Sequence, residues 1–237
     1  MSTDSSLFCD LAAFGVNLKT FLSLQNSQSK ELPTEFANQD VRYSEALVEH
    51  FLQEFTNEGG VVLDPFMGFG TTLLVSERLK RTCFGVEYDQ RRHQYVQSIL
   101  QKPELALHGD STALDELPIP QMIDFSITSP PYMGKCHSEN PFTAYTTMLD
   151  TEGGGYNNYL KDLAKIYGKI AAKLKPHGRA VLEVSNLKHE DGSITTLAWD
   201  IARAVSEVLH FEGEIVMCWQ DDCGYGYDHS YCLVFRK

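Results

Sequence analysis

Apolar positions along the chain keep two periods in alternation. Four short runs have the apolar, β-branched and aromatic content of strands: "VVLD" (61–64), "CFGVE" (83–87), "LALHGD" (105–110) and "MIDFSI" (122–127). Helical spacing fills 70–80 and 89–101 between them, and returns over 157–174 and 194–209 on either side of a further strand, "RAVLEV" (179–184). "EGEIVMCW" and "YCLVFRK" then follow as strands with no helix between them. Upstream, 44–55 places Ala46, Leu47, His50, Phe51 and Phe55 on one helical face, with Ser44 as N-cap. Over 7–24, Leu7, Leu11, Phe14, Leu18 and Phe21 also fall at helical spacing, which predicts a docking helix or partner-facing arm before a polar connector.

Strands alternating with helices, each strand short and apolar, predict an α/β fold: a mostly parallel sheet of seven strands with helices on both faces. The last two strands predict an antiparallel hairpin at its edge. The chain divides into an N-terminal arm and connector (1–39) and one domain (40–237).

Composition adds limits. No run approaches the roughly 18 apolar residues of a membrane span, and no basic leader precedes the first apolar stretch, so a cytoplasmic protein is expected. The six cysteines include no CxxC pair and read as reduced, mostly buried thiols; Cys218, Cys223 and His229 match no zinc spacing, and no metal is expected. The net charge of −12 opposes autonomous grip on long duplex nucleic acid. Lys161, Lys165, Lys169 and Lys173 repeat every fourth residue, as a solvated helix face does. Arg78, Lys80, Arg81, Arg91 and Arg92 are expected to face solvent, and Trp199 and Trp219 to pack in the core.

The candidate chemistry sits at strand ends. The first strand of the alternating series closes on Asp64 and opens through Pro65-Phe66-Met67-Gly68-Phe69-Gly70 into a helix starting at Thr71. Open α/β sheets bind ligands at this end, and glycines at 68 and 70 let a ligand approach the backbone. The next strand ends in Glu87, placed to hold both hydroxyls of a ribose, and the third in Asp110, placed to accept from an adenine amino group. The loop lacks the third glycine of a dinucleotide fingerprint. Its acid would repel a pyrophosphate but suits the ammonium of a methionine moiety, so S-adenosylmethionine fits better than NAD. The fourth strand ends in Ser129-Pro130-Pro131-Tyr132. Two prolines preclude a continued strand and stiffen the corner. An exocyclic amine on a base is a poor nucleophile; the Ser129 side chain and the Pro130 carbonyl, pulling on its hydrogens, would aim its lone pair at a methyl group. Tyr132 offers a face to a base lifted from its stack. His137, Tyr145, Tyr156 and Tyr225 are candidates for the substrate mouth or for packing.

"VVLDPFMGFGTTLLVSERLKRTCFGVEYD", "ITSPPY" and "HSYCLVFRK" together resemble the amino-methyltransferases that make N4-methylcytosine or N6-methyladenine in DNA. The resemblance covers about residues 40–237 and implies the Rossmann-like fold of class I S-adenosylmethionine-dependent methyltransferases. It implies a cofactor set of Asp64, Phe66, Gly68, Gly70, Thr71, Glu87, Tyr88, Asp110 and Ser111, with Tyr43, flanked by Arg42 and Ser44, near the methionine carboxylate. It implies Ser129, Pro130, Pro131 and Tyr132 as the catalytic motif, and the serine at its head is similar to cytosine-N4 members. Methyl transfer to cytosine N4 in DNA is therefore the expected activity, with adenine N6 second. RNA, a small molecule or a peptide amine are the alternative acceptors, and a non-catalytic cofactor-binding subunit is the reading from another class. No target-recognition domain is visible in the sequence, so a recognition subunit or a homodimer is the expected source of site specificity.

Overall fold

The computed structural model describes residues 19–135, 141–142, 155–219 and 229–237. In chain order its strands are β1 (Phe21–Leu24), β2 (Val61–Asp64), β3 (Thr82–Glu87), β4 (Ala106–His108), β5 (Ile123–Thr128), β6 (Leu174–Val184), β7 (Leu187–Lys188), β8 (Ile194–Thr195), β9 (His210–Trp219) and β10 (His229–Arg236). The helices are α1 (Glu45–Phe55), α2 (Thr71–Arg78), α3 (Gln90–Ile99), α4 (Gly155–Lys173) and α5 (Leu197–Val205). Eight strands form one sheet in the order β4-β3-β2-β5-β6-β10-β9-β1, and β7 pairs β8 in a separate small hairpin.

Burial alternates along the sheet as period two requires. Val62, Phe125, Ile127, Val181, Cys232 and Val234 face one core, closed by Leu47, Val48, Phe51 and Leu52 of α1, Leu73 and Val75 of α2 and Val96 of α3. Leu63, Val86, Ala180, Leu182, Val184, Leu233 and Phe235 face the other, closed by α4 through Tyr159, Leu163, Ile166, Tyr167 and Ile170 and by α5 through Ile201 and Val205. The expected α/β architecture with helices on both faces is therefore present.

Four details differ from the sequence reading. Phe21–Leu24 is a strand, not the end of a helix: β1 runs parallel to β9, with Leu22 and Leu24 packed on the first core. The open edge of β9 offers backbone partners that outweigh a helical stripe; the rest of the predicted arm, 7–18, lies outside the described residues. The sheet accordingly has eight strands, and the final hairpin is not its edge. β10 is the one reversed strand in the sheet, pairing antiparallel with both β6 and β9, and its run Cys232–Phe235 is fully buried. The helix expected over 194–209 shortens to α5 because 187–195 form the β7–β8 hairpin, turned at Gly192 with φ +82°.

The lysine row is not uniformly solvated. Lys161 and Lys165 are exposed, but Lys169 donates to the Thr112 carbonyl (2.7 Å) and pairs with Asp115 (3.1 Å). Lys173 is buried, its Nζ reaching the Ile119 carbonyl at 3.5 Å, because the row turns into the second core at the helix end. Arg81 turns inward to the carbonyls of Leu79 (2.6 Å) and Thr56 (2.9 Å). Trp199 is 41 % exposed against Tyr231 rather than in the core. Cys83 and Cys232 are buried thiols and Cys218 is half-buried; Cys9, Cys136 and Cys223 lie outside the described residues. Among the described residues no helix is long and apolar enough to cross a membrane.

Candidate active site

All the parallel strands of the central sheet end on one side, and a cavity of about 1000 Å³ opens there. Its wall includes Tyr43, Phe66, Gly68, Thr71, Glu87, Tyr88, Asp110 and Ser111 together with Ser129, Pro130, Pro131 and Tyr132. Sheet order explains the meeting. β2 lies between β3 and β5, so the loop after β2, the acid closing β3 and the corner after β5 are neighbours. The order of elements also reverses at β2 and β5, with α2 and α3 on one face and α4 on the other, which leaves a crevice between them.

Asp64 and Gly70 do not line the cavity. Asp64 is fully buried behind the wall, where its carboxylate accepts from Thr128 Oγ1 (2.6 Å), the Phe66 N–H (3.0 Å), Thr72 Oγ1 and Tyr43 OH (3.4 Å). Tyr43 OH also hydrogen-bonds Thr72 Oγ1. Burial pushes the Asp64 carboxyl above the usual range against the pull of these donors. Burial, then the nearby Asp64 charge, raises the Tyr43 phenol. Asp64 thus ties both ends of its loop to β5 and to Tyr43. Gly70 is the N-cap of α2 with φ +83°, a conformation glycine alone adopts without cost.

Glu87 does border the cavity. Its Oε2 accepts from the Gly68 N–H (2.9 Å) and Oε1 from the Asp89 N–H (2.8 Å), while burial raises its carboxyl. Asp110 accepts from the Thr112 N–H (2.8 Å), and Ser111 Oγ donates to the Pro65 carbonyl, tying the β4 end to the β2 loop. Arg42, expected beside Tyr43, lines the mouth but is already paired with Asp40 at 2.6 Å. Tyr156 is buried and donates to Asp200 (2.9 Å) instead of facing the mouth. His137, Tyr145 and Tyr225 lie outside the described residues.

Around the Ser-Pro-Pro-Tyr corner, Tyr159 OH of α4 donates to the Pro131 carbonyl at 2.9 Å and fixes the turn. Phe142 stacks between Phe66 (5.3 Å) and Tyr159 (5.1 Å), roofing part of the cavity. Trp219 lines the far wall and donates through Nε1 to Ser230 Oγ at 3.2 Å. Glu183 at the end of β6 also lines it, accepting from Tyr132 OH at 3.4 Å. Sequence reading passed over Phe142, Trp219 as a wall residue, and Glu183. Only Glu183 carried a signal: an acid one residue short of the end of an apolar strand, close to the feature that singled out Asp64 and Glu87.

The donor set fits an adenosine cofactor bearing a charged amino-acid tail. Acids close β3 and lie just after β4, Phe66 and Val86 add apolar wall, and Gly68 presents backbone without a side chain at φ +54°. The volume is at the upper end for a single ligand, about 300–1000 Å³. Among the described residues no group of three His, Cys, Asp or Glu side chains could hold a metal ion.

The α/β fold with its strand-end cavity is one shared with S-adenosylmethionine-dependent methyltransferases. The likeness extends to solved structures. TrmN from Thermus thermophilus superposes with a TM-score of 0.57 at 19% identity, over 88% of this chain and 55% of that one, so the chain spans little more than half of TrmN's length. A TehB-like S-adenosylmethionine-dependent methyltransferase from Corynebacterium glutamicum gives 0.50 at 15% identity over 86% and 92%. The [4+2]-cyclase SpnF gives 0.53 at 14% identity over 82% of each chain. These identities speak for the fold. Residues 12–98, which hold the loop after β2 and Glu87, match the family model described as DNA methylase, of the N6 and N4 amino-methyltransferases. No curated protein matches the chain.

Proposed function

We propose that the protein transfers a methyl group from S-adenosylmethionine to an exocyclic amino group of a nucleobase, cytosine N4 in DNA first and adenine N6 second. One observation carries the reading: the Ser129–Tyr132 corner and the Glu87–Asp110 half share a single cavity. The DNA-methylase family model supports it on the cofactor side. When bound, the cofactor supplies an electrophilic methyl carbon, whose bond to sulfur breaks as its bond to nitrogen forms.

The chain's residues do the rest. Gly68, Glu87 and Asp110 would hold the adenosine, and Tyr43 with Arg42 would lie toward the methionine end. Ser129 Oγ and the Pro130 carbonyl accept the amine hydrogens and turn its lone pair outward, held in place by the prolines and Tyr159. Tyr132 stacks on the base, which must leave a duplex to enter. With a net charge of −12, recognition of a duplex site calls for a second subunit or a second copy of the chain.

The test is methyl transfer from labelled S-adenosylmethionine, with single-stranded DNA, duplex DNA and RNA offered separately and digested to nucleosides. Label in N4-methylcytosine that Tyr132→Ala abolishes is the expected result. Label confined to RNA, or transfer to no polymer despite cofactor binding, would overturn the DNA reading.

A further inference from the structure

Glu183 lies where the two halves of the acceptor site meet. β6 is flanked by β5 and β10; Thr128 pairs with Leu182 on one side, so Ser129 follows opposite Glu183, and Cys232 pairs with Glu183 on the other. The carboxylate is only 6 % exposed; Tyr132 OH donates to it at 3.4 Å, and the nearby hydroxyls of Ser230 and Ser129 pull its pKa downward. Ser230 is itself held by the indole N–H of Trp219. No lysine or arginine is paired with Glu183 among the ion pairs of the described residues. A carboxylate buried without a counter-cation is costly unless several donors satisfy it, so its place on the wall of a reaction cavity calls for a chemical reason.

We propose that Glu183 orients the Ser129 hydroxyl and, through it, takes the proton that leaves the amine. The inference rests on the amino-methyl transfer proposed above. With its hydrogen given to Glu183, Ser129 Oγ turns lone pairs to the cavity, which is the polarity an acceptor for the amine needs. Formation of the N–C bond leaves the nitrogen one proton in excess. That proton moves to Ser129 Oγ as the Ser129 hydroxyl proton moves onto Glu183, which then releases it to solvent; the product is a neutral secondary amine and the serine is restored. Burial raises the Glu183 carboxyl above its usual range, against the pull of Ser230, Ser129 and Tyr132, which makes it a better receiver. The other titratable groups coupled to it are Tyr132 on the corner after β5, Cys232 on β10 and Tyr43 ahead of α1. Burial raises Cys232 and Tyr43 well above their ordinary values, so both stay neutral near pH 7.

Glu183→Gln keeps shape and an acceptor for the hydroxyls but cannot take a proton. Thermal unfolding and calorimetric cofactor binding establish that the variant is folded and loads normally. Transfer to a cytosine-containing single-stranded oligonucleotide is then followed against pH. In Glu183→Gln, kcat is expected to fall about 100-fold or more while KM and cofactor Kd stay within about twofold. The acid limb of the wild-type kcat profile is expected to disappear in Glu183→Gln, and Glu183→Asp to regain about tenfold of the lost rate. A Gln variant with wild-type kcat, or one altered only in KM or Kd, would overturn the relay while leaving the transfer reading intact. Wild-type protein that binds cofactor but labels no amine overturns both.

Discussion

Replacing Gly70 by alanine tests how the cofactor loop is built, because two separable costs meet at one atom. The residue caps α2 at φ +83°, where an L side chain costs about 1–2 kcal/mol. A Cβ there would also lie 2.8 Å from Val96 Cγ1 of α3, inside any normal contact, and overpacking of this kind costs about 1–3 kcal/mol. Together Gly70→Ala is expected to cost about 2–5 kcal/mol, a Tm lower by roughly 4–20 °C for a chain of this size. The loop must also shift to relieve the contact, so cofactor Kd rises with it. Val96→Ala removes the clashing methyl but leaves φ unchanged. Urea unfolding of the two single variants and the double variant closes a cycle, with an expected favourable coupling of about 1–3 kcal/mol. If Gly70→Ala costs the same in both backgrounds, the contact with Val96 is irrelevant. If it costs under about 0.5 kcal/mol, the account of the loop is wrong altogether.

Three further outcomes are expected. Tyr132→Ala weakens binding of a single-stranded oligonucleotide by about 5- to 150-fold, the worth of one lost base stack, whereas Tyr132→Phe keeps binding; equal losses measured by fluorescence anisotropy would deny the stacking role. Glu87→Ala, which leaves the Gly68 and Asp89 N–H groups without their acceptor, raises cofactor Kd by about tenfold or more in calorimetry. The Glu183 carboxyl lies above its unfolded value of 4.5, so the folded chain binds that proton more tightly and the stability it adds is lost as pH rises through the raised value. Urea midpoints measured between about pH 4 and pH 8 should therefore fall further in wild type than in Glu183→Gln, and parallel curves would refute the shift.

Much of this was legible because strand ends are simple to read. Apolar runs located β2 to β5, and the motifs after them gave both the Glu87–Asp110 side and the Ser129–Tyr132 side of the cavity wall. The limits have physical causes. Asp64 was identified, but its direction depends on Thr72, Thr128 and Tyr43 arriving from three separate segments. Phe21 satisfied a helical stripe, and only the open edge of β9, almost two hundred residues away, decides for a strand. Lys173 obeyed a four-residue repeat that the helix end carries into the core. Glu183 shows a gap in the rule's use, since a similar pattern, shifted by one residue, stood in "RAVLEV".

The sheet divides between β2 and β5 into two flanks, each contiguous in sequence but for β1, which joins the outer edge of the second. Residues 61–110 build β2, β3 and β4 with Glu87 and Asp110 at their ends, and residues 123–236 build β5, β6, β9 and β10 with the Ser129–Tyr132 corner. Apart from β1, neither flank is threaded through the other. A chain that wrote them in the opposite order, with new connections at the surface, would return the wall residues of both flanks to their places. Motif order is thus free to drift or to be engineered, while the adjacency of β2 and β5 is not.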